Sequence, residues 1–479
     1  MCAGICALPR MAAPMIAIAL DLGTTSIKAA LLTRQGALCH ITSQPAPAIS
    51  HKDGQYESDA LRYAETAEAV LAACLACTDQ KPPLGLCSQR SSFLIWDKPS
   101  GNPVTPLISW QDNRGRRYQD QTGNAEALIP ALTGLRLTPY YYAPKLSVLL
   151  HDNPQWREKL VRGAWLAGTL DTFLIWRWTH GQYFCTDASM AARTLLMDIH
   201  QQQWSSVLCD LFNIPAAILP QISLTTGLNV PLSNDVVLQA SAGDQSAALY
   251  ASVLNDPSKA LVNLGTGGFV IRYLDEKAKP LDGFLQTLIY QDQNHTTYMA
   301  SEGTLNSISS ALAPYPFREC DIGDFAASNI FCLAEPSGVG APYFCSNLGL
   351  FFSESTENLT PKQIAILLLE AIVFRVARIL EAYHQQSPLS QVYLSGGLSE
   401  LACLQQGIAQ CVSFPILHLQ QKETSLLGAA MLAAAVKSRI LPLTHPIEIQ
   451  TGRRNIALLE KYQQWQLWLD DLLARQIQD

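Results

Sequence analysis

The sequence predicts an α/β chain built from two similar domains, and two glycine turns and the chain length carry that expectation. Near the start, the apolar run Met15-Ile16-Ala17-Ile18-Ala19-Leu20 leads into Asp21-Leu22-Gly23-Thr24-Thr25-Ser26 and on to Ile27-Lys28-Ala29-Ala30-Leu31-Leu32. This reads as a buried strand, a tight turn and a second strand, a β-hairpin. Past the middle, Leu261-Val262-Asn263-Leu264-Gly265-Thr266-Gly267-Gly268-Phe269-Val270 repeats the shape, with Leu-Gly-Thr kept and Asp replaced by Asn. The separation is far too long for a solenoid period. It fits two similar domains, although two unrelated glycine turns would look the same. A chain of 479 residues also exceeds what one core usually supports.

Composition narrows the class. The chain is 48% hydrophobic and 15% charged, which allows large cores and argues against extensive disorder. A net charge of −7 gives no reason to expect a nucleic-acid partner. The thirteen cysteines are scattered and odd in number, which reads as reduced thiols in a cytoplasmic protein rather than a disulfide framework. Cys74 and Cys77 form a C-x-x-C, but they sit in an alanine-rich run without a glycine turn, so core packing is expected there. The apolar run from Leu426 to Val436 is too short to cross a bilayer. Met1 to Pro14 lacks the basic start of a signal peptide and runs straight into the first strand, which makes Met11 or Met15 a candidate start.

Between and after the hairpins, helical and strand patterns alternate. Ser58 to Thr78 has helical apolar spacing, with Ser58 or Asp59 as N-cap. Leu84 to Cys87 and Phe93 to Asp97 read as short strands, and Lys98-Pro99-Ser100-Gly101 as the turn that follows. Trp165 to Trp176 is largely apolar and carries Asp171. Pro361 to Tyr383 is predicted to be a long helix, with Thr360 as N-cap and Pro361 at the first position. Gln391 to Leu394 is a strand, and the glycine turn Ser395-Gly396-Gly397-Leu398-Ser399 leads into another helix. A small-residue helix beginning at Leu426 can pack very closely on its neighbours. An amphipathic helix from Ile456 to Ile477 closes the chain.

The chemistry starts at the first hairpin. Gly23 lets the backbone turn and lets a ligand approach it. The hydroxyls and N–H groups of Thr24, Thr25 and Ser26 can face an anion. Asp21 would repel a phosphate unless a divalent cation sat between them, since Mg²⁺ is usually held by one or two carboxylates plus phosphates. The hairpin therefore points to a metal–nucleotide site. A second carboxylate, Asp244, follows Gly243 in a polar turn and opens a small-residue helix. The helix dipole keeps it ionised and ready to accept a proton, although Asp is also a common plain N-cap. Lys28 reads equally as a phosphate ligand or as a surface residue, and a Gly-Gly pair such as Gly396-Gly397 is also an ordinary helix entry.

With these residues in view, the chain resembles the FGGY family of carbohydrate kinases, and its glycerol kinases most. The likeness rests on Asp21 to Ser26, Ser88-Gln89-Arg90, Trp110-Gln111-Asp112-Asn113-Arg114, Thr133-Gly134-Leu135 with Pro139-Tyr140, and Gly168-Thr169-Leu170-Asp171. It continues through Ala192-Arg193-Thr194-Leu195-Leu196, Gly243-Asp244-Gln245, Gly265-Thr266-Gly267, Ser337-Gly338-Val339-Gly340-Ala341-Pro342-Tyr343 and Gly396-Gly397. The resemblance implies two actin-like, ribonuclease H-type domains with a catalytic cleft between them. The corresponding boundaries are an N-terminal domain over 15–247, a C-terminal domain over 248–440 and a helical tail over 441–479.

The resemblance also implies ATP-dependent, Mg²⁺-requiring phosphorylation of a terminal hydroxyl of a small polyol or sugar, with domain closure excluding water. Asp244 is then the catalytic base, and Asp21 with Asp244 holds the metal. Gly23, Thr24, Thr25, Ser26 and Lys28 face the phosphates, Gly265, Thr266 and Gly267 close over them, and Gly396 and Gly397 make room for the adenosine. The acceptor is held by Arg90, Trp110, Tyr140, Asp244, Gln245 and Phe269. One position departs from the glycerol kinases, where Ser91 replaces a glutamate that pairs with the arginine. Serine is shorter and neutral, and losing a charge-assisted partner for a buried hydroxyl costs about 1–3 kcal/mol. Glycerol, giving glycerol 3-phosphate, is the leading acceptor. A larger polyol or a pentulose-type ketose is the rival, although Gln89-Arg90-Ser91 differs from the Gln-Met-His type stretch of ketose kinases. A retired ATP-binding sensor is the alternative from another class. A homodimer is the default expectation.

Overall fold

The protein is described by a computed structural model covering residues 14–119, 125–233, 235–275, 280–435, 446–450 and 455–476. The expected start at Met11 lies outside the described residues. Two spatial units emerge. The first comprises the described residues up to Leu254, Thr287–Met299 and those from Glu423 to 435; the second comprises Asn255–Gln286, Ala300–Lys422 and those from 446 onward.

In the first unit the apolar run at the chain start forms the strand Met15–Leu22, and the hairpin returns it antiparallel as Ser26–Thr33. The six-stranded sheet runs in the order Thr226–Pro231, Val237–Gly243, Leu84–Ser88, Met15–Leu22, Ser26–Thr33, Leu38–Pro45. Its three central strands are parallel, with Gly243 opposite Ser88 and Ser88 opposite Leu22. Three chain segments therefore end side by side at one edge. The helix Ala60–Leu75 is capped by Asp59, which accepts from the Arg62 N–H, and lays Tyr63, Ala67, Val70 and Leu71 into the core with Ile18, Leu20 and Leu31. Cys74 is buried in the same core and Cys77 lies just past the helix end; both are free thiols.

One expectation is corrected here, and one segment left without an assignment gains one. The residues before Asp244 are not a polar turn: the strand Val237–Gly243 passes directly into the helix Asp244–Val253. Trp165 to Trp176 divides into the strand Trp165–Thr169 and the helix Leu170–Trp178, which buries Asp171.

The helix Thr424–Ala433 returns to the first unit late in the chain and packs on the helix that Asp244 begins. The contact is backbone on backbone. A Cβ on Gly428 would lie 1.8 Å from the Ala247 carbonyl oxygen, and one on Gly85 would lie 2.0 Å from that of Ala429.

The second unit repeats the plan. Lys259–Leu264 and Gly268–Tyr273 form its hairpin, and Gln391–Ser395 runs parallel to the former with Asn263 opposite Ser395. The helix Pro361–Gln386 starts with a capping box between Thr360 and Gln363 and forms the spine of the core. The helix Ile456–Gln476 buries Leu458, Tyr462, Trp465 and Leu469 along one stripe.

A buried ion pair braces this unit. Arg375 Nε donates to Glu335 Oε1 at 2.6 Å, and both residues are 1% exposed. The other oxygen, Oε2, accepts the N–H groups of Asn306 and Gly340, each at 2.8 Å. Glu335→Ala leaves a buried guanidinium and two N–H groups without their partner, and it is expected to cost about 3–5 kcal/mol. Chemical denaturation of the variant checks this; a loss below about 1 kcal/mol contradicts the bracing role.

Candidate functional site

The parallel register of the first unit builds a polar cluster at the strand ends. Gly23 sits in the hairpin turn where a Cβ would lie 2.6 Å from the Ser26 carbonyl oxygen, so the turn admits only glycine. Its own carbonyl accepts from the Tyr63 hydroxyl at 2.7 Å. Thr24 Oγ1 donates to Gln89 Oε1 at 3.2 Å and accepts from the Trp110 indole N–H at 3.0 Å. Thr25 is exposed and Ser26 half-buried beside it. The hairpin, the Gln89-Arg90-Ser91 segment and Trp110 are thus tied together.

Asp244 opens its helix and accepts from the Gln245 N–H at 2.7 Å through Oδ1. Arg90 reaches it from the neighbouring strand end, with Nε 3.7 Å from the same oxygen and Nη2 hydrogen-bonded to Gln245 Oε1. The stem of Arg90 passes over Gly243, where a Cβ would meet its Cδ at 2.9 Å. Burial raises the Asp244 pKa, while Arg90, the Gln245 N–H and Arg193 pull it down. A third of its side chain stays open to solvent. Asp21, opposite Lys28 in the hairpin, is pushed up to about 7 by burial and by the Asp244 carboxylate. Two carboxylates that disfavour each other's charge make a donor set for a divalent cation. Among the described residues, no group of three or more His, Cys, Asp or Glu forms a closed metal cage.

Other expected residues take partners the sequence did not show. Lys28 Nζ binds both carboxylate oxygens of Glu423 at 2.7 Å. Ser91 is 5% exposed, adopts φ 62°, and donates its hydroxyl to the Arg193 carbonyl at 3.2 Å. Its side chain is turned toward the protein rather than held out beside Arg90. The Tyr140 hydroxyl pairs with that of Tyr141 at 3.2 Å. Gln89, a residue to which the sequence assigns no role of its own, joins Thr24, Tyr63 and Ser92.

In the second unit, Gly265, Thr266 and Gly267 form the hairpin turn, closed by the Gly265 N–H donating to the Gly267 carbonyl at 2.8 Å. Gly396 stands against it at φ 91°, where a Cβ would lie 2.4 Å from the Leu264 carbonyl oxygen. The two predicted glycine motifs therefore meet at one strand edge. A Cβ on Gly397 would meet nothing within 4 Å, so this residue borders open space. Phe269 lies on the strand that leaves the turn, opposite Asn263.

Comparisons with known proteins agree with this construction. Residues 16–238 match the N-terminal domain, and residues 260–436 the C-terminal domain, of the FGGY family of carbohydrate kinases. An apulose kinase of Pectobacterium atrosepticum is 31% identical over 486 aligned positions, covering 95% of this chain and 97% of that protein. A glycerol kinase of Trichlorobacter lovleyi is 31% identical, covering 87% of this chain and 89% of its own length. Among solved structures, the Plasmodium falciparum glycerol kinase with ADP superposes with a TM-score of 0.81 at 23% identity, over 95% of this chain and 98% of that one. A xylulose kinase from Lactobacillus acidophilus gives 0.77 at 19%, over 96% and 98%. The fold is the two-domain, actin-like α/β fold of these kinases.

Proposed function

The chain belongs to the FGGY family of carbohydrate kinases, and we propose that it phosphorylates a terminal hydroxyl of a sugar or polyol larger than glycerol. The observation that carries this reading is the placement of Ser91. Its short side chain is buried and its hydroxyl hydrogen is spent on the Arg193 carbonyl, so neither a carboxylate nor a free hydroxyl donor stands beside Arg90 to meet a bound polyol. A three-carbon polyol therefore finds one anchor fewer, while a longer or branched acceptor gains room. A relative that covers 95% of this chain is named an apulose kinase, which supports a ketose-like acceptor. Glycerol remains the second reading, favoured by the glycerol kinases at similar identity.

In this reading Asp244 takes the proton of the attacking hydroxyl. The nearby Arg90 and Arg193 favour its ionised form, as a general base requires. Arg90, Trp110, Tyr140, Gln245 and Phe269 orient the acceptor. Thr24, Thr25, Ser26 and Lys28 serve the phosphates from the first hairpin, and Thr266 with Gly267 from the second. Gly396 and Gly397 leave space for adenosine. Asp21 and Asp244 would hold Mg²⁺, whose charge relieves their mutual repulsion. Bound there, the ion neutralises charge on the phosphates.

The test is acceptor-dependent ADP release from Mg²⁺-ATP across glycerol, erythritol, xylitol, ribitol, apulose, D-xylulose, D-ribulose and L-ribulose. A four- or five-carbon acceptor with the highest kcat/KM supports the reading, and glycerol in first place overturns it. Ser91→Glu restores a carboxylate at the departing position. It is expected to lower the glycerol KM about tenfold, corresponding to roughly 1.4 kcal/mol. An unchanged or higher glycerol KM in that variant removes Ser91 from the acceptor site.

A further inference from the structure

Lys145 is fully buried on the helix Tyr142–Asp152, and among the described residues no carboxylate pairs with it. Its Nζ instead donates to two backbone carbonyls, Ser91 and Ser109, each at 2.8 Å. The ring of Phe93 lies beneath it, 5.6 Å from Nζ to the centroid. Burying a lysine without a counter-charge is costly. Burial pushes its pKa down to about 7, with Asp112 opposing and Arg114 reinforcing the shift. A methionine would fill the same space without that cost.

What an apolar side chain cannot do is satisfy two carbonyls of irregular backbone, and unpaired buried carbonyls are themselves expensive. The two acceptors are not random neighbours. The Ser91 carbonyl directly follows Arg90, at a residue held in the left-handed region. The Ser109 carbonyl directly precedes Trp110, whose N–H donates to Ser92 Oγ at 2.9 Å. One amine therefore bridges the two turns that present Arg90 and Trp110.

We propose that Lys145 is a positioning residue that sets acceptor affinity by locking the Arg90–Ser91 turn to the Ser109–Trp110 turn. This rests on the reading above, in which Arg90 and Trp110 hold the acceptor. Lys145 touches no reacting atom; it acts through the backbone of the residues that do the binding. Its loss should therefore appear in the KM for the acceptor and not in that for ATP.

The test compares Lys145→Met, which keeps the volume and loses both hydrogen bonds, with Lys145→Gln, which retains amide donors. Steady-state kinetics use the best acceptor of the panel. Amide hydrogen exchange on the intact variants, without any ligand, follows residues 89–92 and 109–111 against the strand Met15–Leu22. Lys145→Met is expected to raise the acceptor KM at least tenfold while leaving the ATP KM within twofold. Exchange should quicken at least tenfold in both turns and not in the strand, and Lys145→Gln should recover part of each effect. Exchange that is unchanged in the turns, or equally faster in the strand, overturns the proposal. So does an acceptor KM that stays put while exchange rises. If the wild type uses no acceptor of the panel, the functional reading fails separately and the exchange comparison still decides whether Lys145 locks the turns. If Lys145→Met does not fold, Lys145→Gln is measured alone against the wild type, with an acceptor KM raised at least threefold as support and an unchanged one as refutation.

Discussion

Asp244→Asn is expected to lower turnover by about 10²–10⁴-fold while leaving ATP binding within a few-fold of wild type, as general-base contributions usually run. Asparagine keeps the size of the side chain and can still accept from the Gln245 N–H through Oδ1. It cannot take a proton. It also removes the negative charge that helps lift Asp21, so Asp21 becomes easier to ionise and the phosphate-facing hairpin is not weakened. Arg90 keeps its hydrogen bond to Gln245. The check pairs steady-state turnover with an equilibrium titration of ATP. Turnover close to wild type removes Asp244 from the role of base. Equal loss of turnover and of ATP affinity would instead make it a structural cap on its helix.

The second large effect falls on a residue with no chemistry at all. In an ordinary helix Gly→Ala gains about 1 kcal/mol. At Gly428 the added Cβ would lie 1.8 Å from the Ala247 carbonyl oxygen, a backbone atom that no rotamer change can move aside. The helices Thr424–Ala433 and Asp244–Val253 must then part. Overpacking costs about 1–3 kcal/mol and occasionally more, and a backbone-on-backbone clash belongs at the upper end. Gly428→Ala should therefore lose about 3 kcal/mol, or about 6–12 °C in Tm for a domain of this size. Ala247 lies one turn beyond Asp244, so kcat should fall as well in the protein that remains folded. A thermal melt indistinguishable from wild type would show that the two helices separate without cost.

Much of this was legible from the sequence, for identifiable reasons. The hairpins were readable because Gly23 and Gly265 to Gly267 sit between apolar runs of strand length. The helix from Pro361 was readable from its cap, Thr360. That Arg90 and Asp244 belong to one site came from the resemblance; their direct approach did not, because it depends on strands whose register places Gly243 opposite Ser88. Three things were not legible. The Lys28–Glu423 pair joins residues nearly four hundred positions apart, and no local pattern marks a partner at that distance. The direction of the Ser91 side chain follows from its φ of 62°, a backbone state that serine gives no reason to expect. Lys145 sits at an inward position of a helix where periodicity calls for an apolar residue. A lysine there reads as a break in the pattern until the two carbonyls it serves are seen.

The late return of Thr424–Ala433 to the first unit has a consequence for biosynthesis. A nascent chain that has reached Leu254 has made every strand of its first sheet but not the helix against which Gly85 and Ala247 close. Until synthesis passes Ala433, that surface of small residues has nothing to cover it, and the polypeptide emerging from the ribosome is an unfinished half. The first unit is therefore the earlier to begin folding, yet it waits for a helix made after most of the second unit. A gene fragment ending at Leu254 should yield a sticky, protease-sensitive product, because exposed apolar surface on incomplete folds drives aggregation. Supplying the missing helix by circular permutation, placed ahead of Met15, is the rearrangement that would let this half mature on its own.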